Sequence, residues 1–346
     1  METTKRLGKK PKNTVALSIG GLIERYQSYN ESVGKAPATL ARYRYSLTHF
    51  ETFTGSDFLA ELLDEAVLDD YRLYLVRRDI SLHTVNSYLR DLRACLNWAA
   101  RRRLIAHPPV IEFVRHDPLA AKTTFLPDEF SSLVKASEGE STLLLRLRAR
   151  AILYTLFDTG LRASELCRAR FTDVRSEEVD GLVGRVLLVQ GAKRGGPRNL
   201  PLHDTTWAAI EEYRAELLKP HGRGFKKRGN DPTWLFVSSR SLSEPLSVSG
   251  LRRMCERLVG YAATIQTTSG EDGNSMRGDK PPLHANPHKF RHSFVSGWVN
   301  HTGGEEIEPL LKIAGWRDRR MLEVYAHYET TTIMRSARRN SPLNRK

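Results

Sequence analysis

Residues 81–103 read SLHTVNSYLRDLRACLNWAARRR, and this stretch decides how the first third of the chain folds. Val85, Tyr88, Leu89, Leu92, Cys95, Leu96 and Ala99 recur at steps of three and four, the spacing that gathers apolar side chains on one face of an α-helix. Arg90, Arg93, Asn97 and Arg101 recur at the same steps and share a second, polar face. Ser81, or the His83–Thr84 pair, begins the helix. Arg101–Arg103 crowd its end, where cations suit the negative pole of the backbone dipole. His107-Pro108-Pro109 cannot continue it.

The same periodicity runs back toward the start. Leu22, Ile23, Tyr26 and Tyr29 mark a helix that begins near Val15, and a Gly34–Pro37 turn follows. Leu40, Tyr43, Leu47 and Phe50 mark a second helix, and Val67, Tyr71, Tyr74 and Leu75 a third. Residues 1–14 form a basic arm, 15–109 a helical domain, 110–124 a linker, and 125–346 a second domain. The chain has 346 residues and 40% hydrophobic content, ample for two cores.

In the second domain Pro127, with Asp128 and Glu129 behind it, opens a helix in the usual first-turn pattern. Leu143–Leu156 is a buried helix that stops at Gly160. Val186–Val189 is a strand that turns through Gly191–Pro197 and returns at Leu200, and Trp234–Val237 is the other strand signal. Asp204–Leu218, Ser247–Ala263, His288–His301, Glu305–Ala314 and Asp318–Tyr325 read helical. His221–Asn230 and Ile265–Pro282, rich in glycine and polar residues, read as surface loops. The fold class expected is mainly α, with a small antiparallel β-sheet in the second domain.

Lysine and arginine exceed the acids by 54 to 40, a net charge of +14 that favours a polyanionic partner, nucleic acid first. Cys95, Cys167 and Cys255 show no metal-ligand or pairing spacing, which suits a reducing cytoplasm and a metal-free protein. The basic start lacks the apolar core of a signal peptide, and no apolar run reaches membrane-spanning length, so no membrane partner is expected.

Four local contexts carry candidate chemistry: TGLRASEL around Arg162, VQGAKRGGPRNLPL around Lys193, HKFRH from His288, and AGWRDRRMLEVYAHY spanning Trp316 and Tyr325. Together they hold what a metal-free attack on a phosphodiester needs: arginines for the phosphate, lysine or histidine for protons, and tyrosine for the nucleophile. Glu165, one helical turn past Arg162, is placed to hold its guanidinium. Lys193 sits on the hairpin turn as candidate proton donor, and Arg194 and Arg198 beside it are candidate phosphate contacts. His288 and Arg291 share a face at a helix start, where backbone amides favour an anion. Trp316 offers one indole donor and a packing surface. Tyr325 is the candidate nucleophile, with Tyr328 as its rival one turn on. Taken singly, each of these also reads as an ordinary structural or surface residue.

The ordered set resembles the tyrosine recombinase (phage integrase) family over nearly the whole chain, in a two-domain, Xer-like form. The resemblance implies a SAM-like core-binding domain followed by a catalytic domain, the pair forming a C-shaped clamp on duplex DNA. It implies that Arg162 and Arg291 clamp the phosphate, Lys193 protonates the leaving 5′-hydroxyl, His288 assists Tyr325 or positions the phosphate, and Glu165 supports Arg162. Many members carry histidine where this chain has Trp316, which shifts that position toward packing and a single donor. A 3′-phosphotyrosine intermediate formed without ATP or metal, a homotetramer on synapsed DNA, and accessory DNA-bending or directionality factors are the further expectations. With about a dozen residues ahead of the first helix, no separate arm-binding domain is expected. A type IB topoisomerase and a catalytically silent DNA-binding regulator are the alternatives.

Overall fold

The computed structural model describes residues 16–106, 110–115, 124–179, 181–190, 196–219, 233–241, 243–268, 283–302, 306–316, 319 and 322. The chain divides into two compact units, Met1–Pro118 and Leu119–Lys346.

The first unit packs α1 (Ile19–Ser32), α2 (Pro37–Thr54), α3 (Glu65–Val76) and α4 (Leu82–Arg101) around one core. Each start has a local cause. Ser18 accepts from Gly21 N–H, Asp64 from Val67 N–H and Ser81 from Thr84 N–H, while Pro37 opens α2. The apolar stripe of α4 is inside, with Val85, Leu89, Leu92, Cys95, Leu96 and Ala99 all buried. Arg90, Arg93, Asn97 and Arg101 are exposed. Two polar residues of α4, Asn86 and Asp91, turn inward; Asp91 accepts from Ser46 Oγ at 2.8 Å and pairs with Arg42 at 3.1 Å, which ties α4 to α2. Residues 110–115, expected as linker, lie against this unit. Ile111 is buried in its core, and the Asn86 amide both donates to Val114 O (2.7 Å) and accepts from Val114 N–H (2.8 Å).

In the second unit α5 (Pro127–Ala136) precedes α6 (Leu143–Thr159), a helix buried along most of its length. Helix α6 ends at Gly160, which is left-handed at φ 59°. After the four-residue α7 (Ala163–Leu166) come β1 (Val174–Val179), β2 (Leu182–Val189) and β3 (Arg198–Leu202), an antiparallel sheet in that order. Helices α8 (Asp204–Leu217), α9 (Val248–Thr268), α10 (Pro287–Thr302) and α11 (Ile307–Ala314) complete the described part, with α8 and α10 packed on α6.

Three local expectations change. Strand β1, reading VRSEEV, carries no strand signal in sequence: its alternation is polar and charged, and what holds it is the backbone ladder to β2 from Val174↔Leu187 to Val179↔Leu182. Trp234–Val237 is not a strand of the sheet. Its ends make single bridges, Arg170↔Trp234 and Val237↔Pro245, and Leu235, Phe236 and Val237 are apolar because they are core. Proline lacks the N–H that would lengthen the second bridge. Helix α9 continues to Thr268, past the expected loop start at Ile265. Tyr325 and the rest of its expected helix, apart from Arg319 and Leu322, lie outside the described residues, as do 1–15, 220–232 and 269–282. Among the described residues no helix is long and apolar enough to cross a membrane. The three cysteines are buried and unpaired, and burial pushes each thiol up to about 12.

Gly160 joins this fold to the site. A Cβ there would meet Phe294 Cδ1 at 2.6 Å in addition to the left-handed strain. Gly160→Ala is expected to cost about 2–4 kcal/mol from the two effects together, read as a fall in the unfolding midpoint.

Candidate active site

The turn at Gly160 sends the chain through buried Leu161 to Arg162, which precedes α7. Arg162 N–H donates to Glu165 Oε2 at 3.0 Å, and its Nη1 donates to Glu165 Oε1 at 3.0 Å. The Glu165 side chain is 0% exposed and that of Arg162 38% exposed, so the carboxylate is the fixed partner and the guanidinium reaches outward from it. Burial alone would raise the Glu165 carboxyl. Bonds from Arg198 and from the Arg162 backbone, with the charges of both arginines, outweigh burial and hold it below its ordinary value.

Arg198 differs from expectation. Its side chain is only 8% exposed and faces inward: Nη1 and Nη2 donate to Glu165 Oε1 and Oε2 at 3.1 and 2.8 Å, and Nε donates to Ile313 O at 2.7 Å. Its place in a basic hairpin predicts a phosphate contact. The inward pleat of β3 and the buried carboxylate opposite make it an internal cation instead.

Arg291 stands on α10, and the start of that helix is built by Asn286-Pro287. Asn286 Oδ1 accepts from His288 N–H and Lys289 N–H, both at 2.9 Å, as an N-cap does, and Pro287 supplies the first helical residue. Arg291 is 3% exposed; Nη1 donates to Gly160 O at 2.8 Å and Nη2 to Ala314 O at 2.6 Å. Its guanidinium lies 5.1 Å from the centre of the buried Trp316 ring, so the indole backs the cation. Trp316 itself follows Gly315, left-handed at φ 65°, at the end of α11. His288 is exposed, with its ring edge-on to His292 at 4.5 Å. Lys289, between the two candidate positions, turns inward to Glu129 at 3.2 Å.

Arg162, His288, Arg291 and Trp316 therefore line one cleft of about 870 Å³, with Asn286 beside them and Arg252 and Glu256 of α9 also on its wall. Two guanidinium groups anchored at one cleft can hold the oxygens of a phosphate placed between them. Lys193, Arg194 and Tyr325 lie outside the described residues. The ends of the Lys193 turn are described: β2 and β3 pair in register through Val189↔Arg198. Asn286, Arg252 and Glu256 were not singled out from sequence. The Asn-Pro pair ahead of a helix was a usable signal for the first; nothing local marks the other two.

Residues 124–331 match the Phage integrase family and residues 21–113 the Phage integrase SAM-like domain. The chain is similar to tyrosine recombinase XerC of Halalkalibacterium halodurans, 26% identical over 84% of this chain and 87% of that protein. It is also similar to tyrosine recombinase XerA of Pyrococcus furiosus, 24% identical over 93% of this chain and 94% of that one. The fold resembles that of the XerH site-specific recombinase bound to palindromic difH substrate in a post-cleavage complex, with a TM-score of 0.68, 14% identity, and coverage of 94% and 98%.

Because the Glu165 carboxyl is depressed on folding, its stabilising contribution is complete above its ordinary value of 4.5 and is lost as pH falls through its lower folded value. The wild-type unfolding midpoint should fall on acidification below about pH 4.5 more steeply than that of Glu165→Gln. At neutral pH the substitution should cost about 3–5 kcal/mol, the penalty for breaking a buried pair. Thermal melts across pH 3–7 of both proteins check it.

Proposed function

This chain belongs to the phage integrase family and is a site-specific DNA recombinase of the tyrosine type, and we propose that Tyr325 is its nucleophile, with Arg162 and Arg291 as the phosphate clamp. The observation that carries the clamp is that both guanidinium groups line one cleft and are held there from behind, Arg162 by Glu165 and Arg291 by the Gly160 and Ala314 carbonyls. Pre-oriented donors of this kind stabilise the charge that builds on the phosphate oxygens, at about 3–4 kcal/mol each, because they need no reorganisation during reaction.

Tyr325 Oη bonds to phosphorus in line as the bond from phosphorus to the 5′-oxygen breaks. The phenolic proton passes to His288, and Lys193 supplies a proton to the departing 5′-oxygen. A 3′-phosphotyrosine and a free 5′-hydroxyl result, and a 5′-hydroxyl from another strand reverses the step. The phosphoester energy is conserved, so the scheme calls on no ATP and no metal. Exchange between two duplexes would take place on a homotetramer, with accessory DNA-bending or directionality factors setting direction. We place the reaction in the cytoplasm, supported by the buried unpaired thiols. Residues 15–109 would be the core-binding domain and 125–346 the catalytic one, joined by 110–124, with the exposed α4 face of Arg90, Arg93, Asn97 and Arg101, and Arg194 of the hairpin, contacting DNA. The relatives bear the name tyrosine recombinase, and the type IB topoisomerase and silent-regulator readings find no support among them.

Binding sites would first be selected from a random duplex pool. Duplexes of the selected sequence, nicked at successive positions, would then be incubated with protein and quenched in detergent. Wild type should yield a covalent adduct and Tyr325→Phe none; an adduct that survives in the variant moves the nucleophile to Tyr328. Sequence-specific binding with no adduct at any nick position would overturn the assignment of Tyr325 and the clamp. In a second measurement, Arg93→Gln with Arg101→Gln should reduce the salt slope of binding by about 0.9 for each phosphate no longer neutralised. An unchanged slope would remove α4 from the DNA surface.

A further inference from the structure

We propose that Arg198 is a positioning residue for strand cleavage: without touching DNA, it holds Glu165, and through it Arg162, in register with the Ile313–Trp316 corner that backs Arg291. This rests on Arg162 gripping the scissile phosphate. A guanidinium 8% exposed is costly to bury unless its donors are met, and all three nitrogens of Arg198 are bonded. They meet two separate pieces of chain. The fork of Nη1 and Nη2 takes both oxygens of Glu165, and those same oxygens receive the side chain and backbone of Arg162. Glu165 is therefore shared between a cation that faces the cleft and one that does not.

The third nitrogen fixes the other half of the site. Nε donates to Ile313 O, and Arg291 Nη2 donates to the next carbonyl, Ala314 O. These are among the carbonyls that the last turn of α11 leaves without intrahelical partners, and two cations there also suit the helix dipole. A Cβ on Gly315 would lie 3.3 Å from the Arg198 guanidinium, so the corner closes directly over it. Trp316 then packs against Arg291. Arg198 consequently ties the segment that carries Arg162 to the corner that backs Arg291 with its indole, both of which line the cleft. Lysine at this position would keep the charge but lose the planar fork that grips both carboxylate oxygens while a third nitrogen reaches Ile313.

The test compares wild type, Arg198→Gln, Arg198→Lys and Arg162→Gln on the selected nicked duplex, made with either a phosphate or a methylphosphonate at the cleavage position. Methylphosphonate lacks one charged oxygen and so depends less on a clamp. Adduct rates are read below each variant's unfolding midpoint, with duplex affinity measured alongside. On phosphate both Arg198 variants should bind duplex as wild type does yet react about 10²-fold more slowly, the scale of one displaced donor. On methylphosphonate their deficit should shrink to within about 10-fold, as the deficit of Arg162→Gln does, because the clamp has less charge to stabilise. A deficit equal on both substrates would make Arg198 merely structural and overturn the proposal, as would wild-type rates on phosphate. No adduct from wild type itself would overturn the cleavage chemistry above, and this role with it.

Discussion

A single carboxylate, Glu165, is the constraint on which the catalytic unit depends. It is fully buried, and it stays ionised because four donors from two arginines close around it. A buried charge so surrounded contributes little net stability over a hydrophobic alternative, yet it is intolerant of losing any partner. That trade suits a site in which a cation is held at one angle toward a cleft. The α6–α7 turn, strand β3 and the end of α11 all meet at this group or one residue from it.

The two arginines proposed as the clamp are held by different physics. Arg162 is anchored by charge, which leaves its exposed part facing the cleft. Arg291 is buried, and neutral carbonyls with an indole face fix it. Carbonyl oxygens orient a guanidinium without cancelling its charge, so the field it presents to the cleft is kept. Trp316 fits that arrangement. An indole offers a broad face to the cation and has no proton to exchange near neutral pH, which leaves proton movement to other groups.

The first unit uses a parallel device for a different end. Asp91 sits on the inner side of α4 and ties it to Ser46 and Arg42 of α2, while Asn86 pins residues near Val114. Helix α4 is thereby fixed in rotation. Its exposed face, Arg90, Arg93, Asn97 and Arg101, is therefore held outward on one side of the helix.

Much of this was legible along the chain. Helices α1 to α4, the stop at Gly160 and the β2–β3 pairing follow from periodicity and from punctuation by glycine and proline, which are local properties, whereas the grouping of Arg162, His288, Arg291 and Trp316 came from the resemblance of their ordered motifs to a family. Strand β1 was not legible, because a charged strand is held by a backbone ladder that leaves no side-chain pattern. Nor was the role of Arg198. Just past the turn of a basic hairpin it looks like one more phosphate-binding cation, and only folding brings it against Glu165, 33 residues earlier, and Ile313, 115 residues later. Sequence alone determined which chemical groups the protein has and which helices carry them. The tertiary structure decided which cations face the cleft and which are spent holding the others, because that depends on burial and on partners distant in the chain.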